Sequence, residues 1–177
     1  SGAFPVETPL VEDAGLALFT DERNGAVLRK AASALTVKAV LEAHLGRLAP
    51  GDYLGLVAYV EMNQLHHHAL QAIRHHVRDR RCVATCLGYG PRFLHSTGQA
   101  YKGGPNTGVF LQITCEDAAD LPVPGQGFTF GVVKAAQASG DFQVLAERGR
   151  RALRVHLGAD VARGLTRLRE IVERVVA

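Results

Sequence analysis

The stretch Asp52–Val60 reads DYLGLVAYV, and after its leading aspartate every residue is apolar, glycine or tyrosine. A strand with one wet face alternates polar and apolar residues. A strand covered by helices on both faces, as in a parallel sheet, reads instead as a near-continuous apolar run. Working outward, Cys82–Leu87 (CVATCL), Val109–Ile113 (VFLQI) and Leu153–His156 (LRVH) are further short strand-like runs, and Leu16–Phe19 (LALF) is a first one. The intervening segments have helical period. Residues 64–80 are expected to turn Leu65, Leu70, Ile73 and Val77 inside. Residues 130–148 are expected to do the same with Val133, Ala136, Phe142 and Leu145, with Gly140 as a weak point. Asp160 caps a last amphipathic helix carrying Val161, Leu165, Leu168, Ile171 and Val175. Strands alternating with helices at this spacing predict an α/β fold: three layers, a mostly parallel, doubly wound sheet of about five strands, and helices on both faces.

The remaining segments are assigned by their punctuation. Residues 1–15 carry Pro5 and Pro9 without a clear period and read as a linker or an arm, leaving 16–177 as one domain. The opening Ser1-Gly2-Ala3 suggests a tag scar or a cut from a longer protein. Asp21-Glu22-Arg23-Asn24-Gly25 is turn chemistry. Ser33 is expected to cap a helix with Leu35, Val37, Val40, Leu41 and Leu45 inside, ended by Gly46 and Pro50-Gly51. Residues 117–127 read as a loop.

Composition narrows the function. A chain of 177 residues, 47% apolar, has room for a real core. It holds no apolar run of membrane-spanning length and no signal-type opening, so a membrane partner is not expected and a cytoplasmic location is. The net charge of +3 is mild, and the basic residues are scattered without interleaved aromatics, which argues against nucleic acid. Cys82, Cys86 and Cys115 are expected to be reduced, buried thiols.

The residues dense in chemistry lie between two strands, in Gly88–Thr114: GYGPRFLHSTGQAYKGGPNTGVFLQIT. Loops at strand ends are where α/β proteins put ligands. His95 reads either as a group that takes and gives a proton, as an imidazole can, or as a side chain that orders its loop. Ser96, Thr97 and Gly98, with Gly103, Gly104 and Gly108 and with Arg92 and Lys102 for charge, read either as a cradle for an anion or as a chain of turns. Lys134 reads as a contact to a phosphate or sugar, or as a solvated lysine; Asp141 is a similar but weaker candidate. Glu61, ending the Asp52–Val60 strand, reads as a general base or as an exposed loop acid. His66, His67, His68, His75 and His76 invite a metal reading. Consecutive histidines fan out around a helix, however, and no acid stands between ligands at i and i+4, so no metal site is assigned.

Three phrases closely resemble one family: GPRFLHSTGQAYKGGPNTGVFLQIT (90–114), FTFGVVKAAQASGDFQVL (128–145) and GDYLGLVAYV (51–60). They resemble the C-terminal region of bacterial proteins in which transaldolase and glucose-6-phosphate isomerase are fused. The resemblance covers most of residues 51–145. It implies a sugar-isomerase (SIS-type) α/β fold. It also implies interconversion of glucose 6-phosphate and fructose 6-phosphate through a cis-enediol, without a metal or other cofactor. Leu94-His95-Ser96-Thr97-Gly98-Gln99 looks like the L-H-S-x-G-Q segment whose histidine assists ring opening, and that role is carried to His95. Two departures stand out. Val60-Glu61-Met62-Asn63-Gln64 is a poor match to the family's E-S-N-G-K-like base motif. The F-D-Q-x-G-V-E-x-x-K lysine motif is absent. No transaldolase barrel fits here either, since one needs about 250 residues. The expected partners are therefore the sugar phosphates and the upstream isomerase and transaldolase domains of the same chain. The competing reading is a non-catalytic sugar-phosphate-binding or docking domain of that enzyme.

Overall fold

The computed structural model describes residues 7–13 and 15–177. In chain order its elements are β1 (Val11–Asp13), β2 (Leu16–Phe19), α1 (Glu22–Ala31), α2 (Val37–Leu45), β3 (Tyr53–Tyr59), α3 (Gln64–Arg81) and β4 (Ala84–Tyr89). A 3₁₀ turn (Arg92–His95) follows, then α4 (Thr97–Gly103), β5 (Gly108–Thr114), α5 (Phe130–Glu147), β6 (Arg151–His156) and α6 (Val161–Val175). The strands form one sheet in the order β1-β2-β6-β5-β3-β4. The run β6-β5-β3-β4 is parallel, and β1 and β2 join its β6 edge antiparallel.

Apolar side chains leave the sheet on both faces. Leu54, Leu56 and Ala58 of β3, Leu111 and Ile113 of β5, and Leu153 and Val155 of β6 enter an aliphatic core with α2, α3 and α6. The alternate residues Val57, Tyr59, Phe110 and Ala152 pack on the opposite face with Phe93, Tyr101 and α5. This second core is aromatic: Phe110 stands 5.2 Å from Tyr101 and 5.7 Å from Tyr53, centroid to centroid. Two glycines make room for it. A Cβ on Gly55 would lie 2.7 Å from Phe110 Cδ1, and one on Gly108 would lie 2.3 Å from its Cζ. Full burial of a side chain such as Phe110 contributes about 1.5–3 kcal/mol relative to leaving it in water.

The connections position the site. From β3 the chain crosses through α3, on the aliphatic face, to β4. It then returns past β3 through α4, on the aromatic face, to β5, and continues through α5 to β6. Adjacent strands β3 and β5 thus send their following helices to opposite faces. The crevice outside the carboxyl ends of such a pair is where open α/β sheets bind ligands.

Several expectations are corrected. The sheet has six strands rather than about five, because Val11–Asp13, inside the stretch read as a linker or arm, pairs with β2; residues 1–6 lie outside the described residues. Asp21–Gly25 is the start of α1, not a turn. The Asp21 carboxylate accepts from Asn24 N at 3.0 Å, and buried Asn24 donates to the Arg150 carbonyl at 2.9 Å. Thr36, not Ser33, caps α2 by accepting from Ala39 N, and Leu35 is exposed ahead of it. Cys82 belongs to no strand: it ends α3 in the left-handed conformation, exposed to solvent, and β4 begins two residues later.

Candidate functional site

The segment after β4 is held by one side chain. Phe93 is buried against Tyr59 and Tyr101, at 5.7 and 6.2 Å between ring centroids. Gly98 closes over it; a Cβ there would meet the Phe93 carbonyl oxygen at 2.9 Å. The flanking Arg92, His95, Ser96, Thr97 and Gln99 are exposed. Two of them serve the loop itself: Ser96 Oγ lies 3.5 Å from the Phe93 carbonyl, and Gln99 Nε2 donates to the Leu94 carbonyl at 3.3 Å. His95 makes no side-chain hydrogen bond among the described residues, so its imidazole is open to solvent and to any ligand. Ser96 does not cap α4 with its side chain.

The other expected residues lie elsewhere. Lys102 turns inward: its Nζ is 2.6 Å from Oδ1 of Asp141, whose side chain is 2% exposed under α5. Among the described residues the Asp141 oxygens have no hydrogen bond of regular geometry. Burial pushes this carboxyl above its ordinary range, and the Lys102 ammonium opposes that shift. Tyr59 stands beside Asp141, and burial, with that carboxylate's charge, pushes its hydroxyl up as well. Glu61 lies two residues past the end of β3, on the way to α3, exposed, accepting from Asn63 Nδ2 at 2.9 Å. It lines a hollow with His66 and the N-terminal end of α6 that does not include His95.

Lys134 borders a cavity of ≈310 Å³ outside the carboxyl ends of β3, β5 and β6. There it is ion-paired with Asp117. Thr114, Ser139, Arg154 and His156 share this cavity. Thr114 Oγ1 lies 3.0 Å from His156 Nδ1, and burial holds the His156 imidazole below its ordinary value. Burial also raises the Cys115 thiol on the same wall. Sequence patterns singled out none of Thr114, Ser139, Arg154 or His156 as a site residue. The available signal was Arg154 itself: a cation between Leu153 and Val155 in a short apolar strand must face either solvent or a partner.

The histidine run disperses, as its spacing predicts. His66 Nδ1 lies 2.9 Å from the Glu61 carbonyl, His67 stacks on Tyr89, and His76 Nε2 is 2.8 Å from the Val176 carbonyl. Among the described residues no group of three His, Cys, Asp or Glu side chains is arranged to hold a metal ion. No described helix is long and apolar enough to cross a membrane.

No family model and no curated protein matches the chain. Among solved structures it is similar to hypothetical protein TT0462 from Thermus thermophilus. The TM-score is 0.69 and the identity 18%, over 89% of this chain and 44% of that one. The chain thus spans less than half the length of that structure, and the likeness is one of fold: a mostly parallel sheet flanked by helices.

Proposed function

We propose that the chain is the C-terminal sugar-isomerase (SIS-type) lobe of an enzyme that interconverts glucose 6-phosphate and fructose 6-phosphate, part of a longer protein that also carries transaldolase. The observation that carries the reading is the Leu94–Gln99 segment. It follows the carboxyl end of β4 and is pinned by Phe93, while His95 is exposed and free of protein partners among the described residues. An imidazole so held can donate a proton to the ring oxygen of the sugar and accept one from the anomeric hydroxyl, which opens the ring. The following proton shift between C2 and C1 needs a carboxylate. Glu61 is a weak source, since it lies on the α3 side, so the base is expected from another part of the longer protein. Ser96, Thr97 and Gln99, exposed and close to His95 in the chain, carry groups able to hydrogen-bond sugar hydroxyls.

The test is His95→Ala in the full-length protein, following glucose 6-phosphate formation from fructose 6-phosphate with a coupled dehydrogenase. Loss of proton transfer should lower kcat about 10²–10⁴-fold; a loss of only a few-fold would sink the catalytic role. A second reading, a sugar-phosphate-binding or docking domain without catalysis, is favoured by the engagement of Lys102 with Asp141, which removes a cation from the expected cradle. That reading expects an unchanged kcat in His95→Ala, together with saturable shifts of the Gly98–Gly108 amides when fructose 6-phosphate is titrated into the chain.

A further inference from the structure

The cavity beside α5 has a cation on its wall that ring opening does not use. Arg154 leaves β6 on the α5 face, while its neighbours Leu153 and Val155 enter the aliphatic core. Its side chain is 10% exposed. The guanidinium carbon lies 4.5 Å from the centroid of the Phe19 ring and 5.7 Å from that of Phe142, so the aromatic rings fix its position. A guanidinium carries five N–H donors. Among the described residues only Nη2 of Arg154 has a partner, the carboxylate of Glu7. Burying a cation is costly unless it is paired and hydrogen-bonded, and among the described residues this one depends on a single acid. That acid comes from the segment ahead of β1, and its own side chain is 52% exposed. Thr114, Ser139, Lys134 and His156 supply further hydrogen-bonding groups around the cavity, and Ala135 and Ala138 supply an apolar wall. Lys134 is neutralised by Asp117, so withdrawing Glu7 would leave the cavity with one uncompensated positive charge at Arg154.

We propose that this cavity is a binding site for a small metabolite bearing an oxyanion, a carboxylate or a phosphate monoester, with Arg154 as its anchor and the Glu7 carboxylate as a tethered occupant that the ligand displaces. Planar, bidentate recognition of such groups is what a pre-positioned guanidinium does best. A volume of ≈310 Å³ suits a ligand of a few carbons. The site is separate from His95 and does not rest on the isomerase reading.

The experiment is calorimetric titration of the chain with inorganic phosphate and, separately, with acetate. Glu7→Gln removes the tethered carboxylate from a half-exposed position and leaves the core intact. It should bind one of the two anions at least tenfold more tightly than the unaltered chain, and the preferred anion identifies the headgroup. Adding Arg154→Met should abolish that binding. Ser139→Phe, which fills the cavity without altering Arg154, should do the same should the Arg154 variant fail to fold. Equal affinities with and without Glu7, no saturable binding to Glu7→Gln, or binding that survives Ser139→Phe would each overturn the proposal. Because the readout is anion affinity rather than turnover, its failure is distinguishable from failure of the His95 assay.

Discussion

His44 makes the stability of this protein depend on pH in a calculable way. It lies on α2, fully buried, with Nε2 3.0 Å from the Phe110 carbonyl and Nδ1 without a partner among the described residues. Burial above all, then the nearby charge of Arg47, holds its imidazole down to about 3, although the Phe110 carbonyl favours the charged form. In the unfolded chain the same group titrates near 6.5. The folded value is depressed, so between those two pH values the unfolded state binds the proton and the native state does not. The native state is therefore fully favoured above pH 6.5 and loses stability as the pH falls through that value towards 3. At about pH 5 nearly every unfolded molecule carries the proton while the folded side chain stays neutral, and linkage gives a loss of about 2 kcal/mol relative to about pH 7.5. The assay is urea unfolding at both pH values, on the unaltered chain and on His44→Gln. The glutamine amide keeps a donor in reach of the Phe110 carbonyl but does not titrate, and every other ionisable group is common to both proteins. The unaltered chain should lose about 2 kcal/mol more than the variant across this interval. Parallel losses, equal within a few tenths of a kcal/mol, would refute the reasoning.

Two further substitutions examine the helices that flank the site. Lys102→Met strands the Asp141 carboxylate, 2% exposed, beneath α5; it should lower stability by on the order of 3 kcal/mol in denaturant melts, and Asp141→Leu added to it should restore most of the loss. A Lys102 that serves only substrate would leave those melts unchanged. Gly140→Ala places a methyl in open space in the interior of α5; it should raise stability by about 0.5–1 kcal/mol, measured the same way.

Much of the parallel frame was legible in the sequence. Asp52–Val60, 64–80 and 130–148 carried patterns that the structure realises as a strand and two helices, because burial shapes composition along an element, although Leu65 and Ala136, read as inner positions, are exposed. Phe93 and Gly98 were legible only as part of a polar, glycine-containing loop; that one anchors the segment and the other closes over it required the Tyr59 and Tyr101 rings to be in place. α1 was missed because Asp-Glu-Arg-Asn-Gly favours a turn and a capped helix start equally, and the contact that decides, Asn24 to the Arg150 carbonyl, joins residues 126 apart. β1 was missed because a three-residue edge strand is too short to show a period.

Among the expected site residues, sequence proximity grouped Lys102 with His95, yet a helix turns successive side chains in different directions. α4 points Lys102 at Asp141, while His95, just ahead of the helix, remains exposed. Local burial patterns recorded most of the strands and helices directly, but not α1 or β1. Only the tertiary structure decided that β2 and β6 run antiparallel and that β3 and β5 form the switch point. It alone decided that Arg154, Lys134 and Glu7, from opposite ends of the chain, share one cavity. Strand order and convergence of charge are set by long-range packing, which no local spacing encodes.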